Sequence, residues 1–115
     1  MRAHLFLGGG LVATAMLGAC DRPHWLNDDG WLAARCGAAA DLLVRAGDHS
    51  LDLEAARASW RQTTDAFSAT TDMGLEMREA AERAMGWRID RQHNAREFIA
   101  ESCSEVALAD VRQRL

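Results

Sequence analysis

Cysteine and histidine are the side chains of this 115-residue chain best suited to covalent or ligand chemistry, and both are sparse: Cys20, Cys36 and Cys103, with His4, His24, His49 and His93. His93 has the richest surroundings. Asp90 stands three residues before it and Glu97 four after, a spacing that on a continuous helix brings all three to one face. Such a trio can hold a cation or move a proton. A di-metal bundle site needs that pairing from two helices plus further carboxylates. One such group is present, so a solvated charged patch is the simpler reading, and no metal or cofactor is expected. The spacing also leaves open a non-covalent haem held by His93 with Met73 or Met77. The Cys-x-x-Cys-His attachment motif is missing, and methionines at helical period read more simply as core fillers. Neither a Gly-x-Ser-x-Gly elbow nor, after the first twenty residues, a phosphate-cradling glycine loop occurs. The chain reads as no enzyme.

Cys20 ends a different pattern. Met1 and Arg2 give a short positive start, Leu5 to Leu17 are thirteen mostly apolar residues, and Gly18 and Ala19 lead into the cysteine. That is the layout of a secretory signal. Thirteen helical residues rise about 20 Å, short of the roughly 30 Å hydrocarbon core, so the run does not read as a membrane span. Leu17-Gly18-Ala19-Cys20 resembles the lipobox of bacterial lipoproteins. The resemblance covers this leader alone. It implies cleavage before Cys20, a covalent lipid on its sulfur, and a mature protein anchored in the cell envelope facing the periplasm. Asp21 resembles the residue that retains some such proteins in the inner membrane. The alternatives are a plain secreted protein with a free Cys20 and an uncleaved signal anchor. An ordinary signal cut after Ala19 would want a small residue at Leu17.

Removal of 19 residues from 115 leaves 96, enough for one domain. It carries 12 arginines, no lysine and 17 acidic residues, hence about −5 before histidine, which points away from nucleic acid. With Cys20 acylated, Cys36 and Cys103 form an even pair in an oxidising compartment. One bridge would close a loop of 67 residues (103 minus 36), a constraint on the unfolded chain of about 4 kcal/mol. Free buried thiols and a thiolate metal site are the alternatives.

The elements that must position these groups are helical. Residues 20–29 read as the lipidated cysteine and a tether, and 30–115 as the folded domain. Leu32, Cys36, Ala39 and Leu43 recur at helical spacing between a cap at Asp28 or Asp29 and a closing Gly47. Ser50 caps a second helix to about Thr71, with Leu53, Ala56, Trp60, Thr63 and Phe67 inward and Arg61 paired with Asp65. A third carries Met73, Met77, Ala80, Ala84 and Trp87, with Arg78–Glu82 and Glu79–Arg83 pairs on its surface. Asn94 and Glu97 match a capping box that opens a fourth helix with Phe98, Ile99, Cys103 and Val106 inward; one long helix from Leu75 to Ser104 is the alternative. Strand signals are nearly absent. The expected fold is an all-α antiparallel bundle of three or four helices stapled by one disulfide.

Trp60 and Trp87 fall on core stripes, whereas Trp25 and Trp31 flank the tether and are candidates for contact with a membrane or protein partner. The reading is a membrane-anchored, noncatalytic binding or structural module with a protein partner in the envelope. A haem or metal carrier centred on His93 and a small conjugation-exclusion or inhibitor lipoprotein are the alternatives.

Overall fold

The computed structural model describes residues 21–48, 53–85 and 91–115, and these fold as five α-helices. Helix α1 spans Asp28–Arg45, α2 Glu54–Ala66, α3 Thr71–Ala84, α4 Arg91–Ser102 and α5 Glu105–Gln113. Among the described residues there is no strand, so the all-α class holds, with more helices than the three or four expected. The extra one comes from a break at Cys103-Ser104. Ser104 is extended and its side chain accepts a hydrogen bond from the Ala107 backbone N–H at 3.1 Å, which starts α5 afresh. That restart changes which residues point inward. Val106, expected in the core, is 71% exposed, and Leu108 and Val111 are buried instead.

α1 packs against all four other helices. Its composition makes that feasible: Ala33, Ala34, Cys36, Gly37, Ala38, Ala39 and Ala40 are all buried, so neighbours approach closely from several sides. Asn27 caps it, accepting from the Gly30 N–H at 2.8 Å, one or two residues ahead of the expected Asp28 or Asp29. Gly47 closes it as expected. At φ 72° it lets its N–H reach Val44 O (3.1 Å) and the Asp48 N–H reach Leu43 O (3.0 Å), the paired bonds of a Schellman ending.

Contacts along α1 set the directions. Asp41 faces Arg57 and Arg61 of α2, while Gly30 faces Phe67 beyond its end, so α1 and α2 are antiparallel. Arg35 meets Phe98 and Asp48 meets Arg96, so α4 is antiparallel as well. Ala34 and Ala38 pack with Met77 and Ala81, and Arg45 reaches Glu82, so α3 runs with α1.

Other expectations are corrected. α3 ends at Ala84, capped at Met85, and α4 begins at Arg91, so 75–104 is not one helix. Asn94 lies inside α4 and does not cap it. Arg61 and Asp65 do not pair with each other; Arg61 is 4.0 Å from Asp41 and Asp65 is 3.7 Å from Arg78. Glu82 likewise pairs with Arg45 at 3.0 Å, not with Arg78. Long arginine side chains here reach across helix interfaces, where a partly covered carboxylate is a better partner than a fully hydrated one. Residues 21–27 also depart from a free tether. Pro23 and Leu26 are buried, the Arg22 Nε–H donates to Leu26 O (2.8 Å), and Arg22 pairs with Asp28 (2.5 Å).

Candidate functional site

The disulfide is present. Cys36 of α1 and Cys103, between α4 and α5, are bonded with their Cα atoms 5.7 Å apart. Ala33, Trp60 and Leu108 enclose the bridge, and Phe98 and Ile99 cover its flank. Cys36 is wholly buried and Cys103 is 9% exposed, so the bridge is structural in position. It ties the central helix to the point where the last helix restarts.

Trp25 and Trp31 belong to one cluster. Both are half-buried against Leu26, Ala34, Ala38, Met77 and Ala81, with Phe67 beside them. Gly30 makes this seat. A Cβ there would collide with the Leu26 side chain and lie 3.0 Å from the Phe67 ring. One helical turn after Trp31, Arg35 lies with its guanidinium carbon 4.1 Å from the Phe98 ring centre and 5.9 Å from that of Trp31. Its Nε is buried without a hydrogen-bond partner among the described residues. Burial from water holds its pKa below the usual arginine value. A guanidinium stacked in this way is half wet and half aromatic, suited to anionic or interfacial surroundings. The Trp-x-x-x-Arg spacing on α1 was the available signal for it in the sequence.

A second feature is the groove between α1, α2 and α3. Asp41 lines it, 3.2 Å from Arg45, 3.6 Å from Arg57 and 4.0 Å from Arg61. Small residues Ala34, Gly37 and Ala38 form its floor, and Thr64, Arg78 and Glu82 complete it. The cavity measures about 30 Å³, room for one or two waters. Opposite charges there largely satisfy one another.

The histidine readings separate. His93 is exposed on α4 and lies 3.3 Å from the Glu97 carboxylate, also exposed, as a solvated pair. Among the described residues no group of three histidine, cysteine or acidic side chains converges on a metal position. Met77 is fully buried between α1 and α3 and Met73 is half-buried, whereas His93 is exposed on α4. His24 is exposed beside Trp25. Leu17, Gly18, Ala19, Cys20, His49, Ser50, Trp87 and Asp90 lie outside the described residues.

Two ion pairs that the spacing did not signal hold the termini of α1. Arg114 donates to both Asp29 oxygens, at 2.6 and 2.8 Å, and this bond holds the Asp29 carboxyl below the ordinary carboxylate range. Arg96 meets Asp48 at 2.6 Å, with the Asp48 side chain only 7% exposed. Each joins residues far apart in the chain, so no local pattern reveals it.

Comparison with protein-family models, curated proteins and solved structures finds no match for this chain.

Proposed function

We propose that the protein is a small bacterial lipoprotein: cut before Cys20, lipidated there, and held at the periplasmic face of the envelope, with a slight preference for the inner membrane. Its helical part then works as a noncatalytic binding or structural module for a protein partner in the envelope. The observation that carries this reading is the leader ending in Leu17-Gly18-Ala19-Cys20. The Cys36–Cys103 bridge supports it, because such bonds persist in oxidising compartments. Among the described residues no helix is long and apolar enough to cross a membrane. One acyl chain attaches reversibly, whereas two or more hold firmly.

Fractionation of producing cells tests it. The unaltered protein should stay with membranes through high-salt and carbonate washing, and Cys20→Ala should lose that retention. Equal release of both forms into the soluble fraction would refute the reading.

A further inference from the structure

A lipid on Cys20 fixes more than the compartment, because the chain that follows is not free. Asp21 is one Cα step from Cys20, about 3.8 Å. The segment after it is folded onto the domain: Pro23 is buried, Leu26 is 4% exposed inside the α1/α3 cluster, and Arg22 is held by Leu26 O and Asp28. The anchor therefore leaves from one defined place. That place is a shallow hollow where Asp21 to His24 meet Glu76, Ala80 and Arg83 of α3. Arg78, which reaches Asp65 at the end of α2, is about 150° around α3 from Glu76 and Arg83 at 100° per residue. The hollow and α2 thus lie on opposite flanks of α3.

We propose that the side formed by residues 21–25, the Glu76/Arg83 flank of α3 and the Trp31/Arg35 edge of α1 is a bilayer-facing surface, with α2 turned away from the lipid. This rests on lipidation of Cys20. The surface has the chemistry of an interface. Trp25 and Trp31 are half-exposed indoles, the type that settles at headgroup level. Arg22, Arg35 and Arg83 balance Asp21, Asp28 and Glu76 there, so this side is close to neutral in a mature chain whose overall charge is about −5. This side therefore meets anionic headgroups with less repulsion than the domain's net charge alone would give. Roughly two helix thicknesses, about 20 Å, separate this surface from the outer side of α2.

The cysteine chemistry supplies a clean test on the full lipidated protein. With Cys20 acylated and Cys36 bonded to Cys103, a cysteine introduced at His24 or at Ala58, exposed on the outer side of α2, would be the one free thiol. Each variant is labelled with a fluorophore and reconstituted in phosphatidylethanolamine/phosphatidylglycerol vesicles carrying a headgroup quencher. Flotation with the vesicles is scored on the same samples. The H24C label should be quenched at least three-fold more strongly than the A58C label, and adding Leu26→Ala should shrink that ratio towards one while flotation persists. Equal quenching of H24C and A58C in protein that floats overturns the fixed orientation and leaves the anchor standing. Protein that does not float overturns both.

Discussion

At the scale of single residues, small side chains and paired charges decide how the pieces meet. Gly30 lets Leu26 and Phe67 close over the start of α1. Gly30→Ala should lower stability by about 1–3 kcal/mol through overpacking, read as a lower urea midpoint with an unchanged slope. Asp29 and Arg114 give a pH signature. The folded state depresses the Asp29 pKa, chiefly through the hydrogen bonds from Arg114, so the pair's contribution is fully present above the ordinary carboxylate pKa. It is lost as pH falls through the lowered folded value. Comparison of the unaltered protein with Arg114→Ala by urea unfolding should show a stability gap at pH 6 that begins to narrow near pH 4 and closes as the pH falls further; a gap independent of pH would mean that Arg114 acts by packing. Neither partner was readable from the sequence, since an ion pair 85 residues apart leaves no spacing signal.

At the scale of elements, the disulfide and the restart at Ser104 work together. Reduction removes a constraint on a 67-residue loop, so reduced protein, or Cys36→Ala/Cys103→Ala, should lose about 4 kcal/mol. Calorimetry in the presence and absence of reductant measures it, and an unchanged midpoint would contradict a structural role. Ser104→Ala should remove the α5 cap and lower stability by about 1 kcal/mol. Helical period and cysteine parity were enough to foresee the all-α class, the stripe in which Cys36, Ala39 and Leu43 are buried and Leu32 partly so, and the bridge. They failed at Cys103-Ser104, because a two-residue break without glycine or proline looks like uninterrupted helix. They failed again at Asn94-x-x-Glu97, where a capping pattern occurs inside a helix. The Arg35 stack was legible as an i, i+4 pair, but its second ring, Phe98, comes from a helix that only the folded chain brings near.

At the scale of the whole molecule, a central helix of small residues gathers four neighbours, and the segment before it is folded in with them. What begins as an expected nine-residue leash is thereby shortened to almost nothing between Cys20 and the folded body. Under the proposed lipidation, a domain of this build would stand against the membrane with one side and offer the other to the periplasm. The central claim is the covalent lipid, and intact mass of the protein extracted from its native membranes tests it most directly. The account predicts a chain that begins at Cys20 and carries the mass of diacylglycerol and a further acyl group. A species that retains Met1 to Ala19, or one that begins elsewhere without added lipid mass, would contradict it.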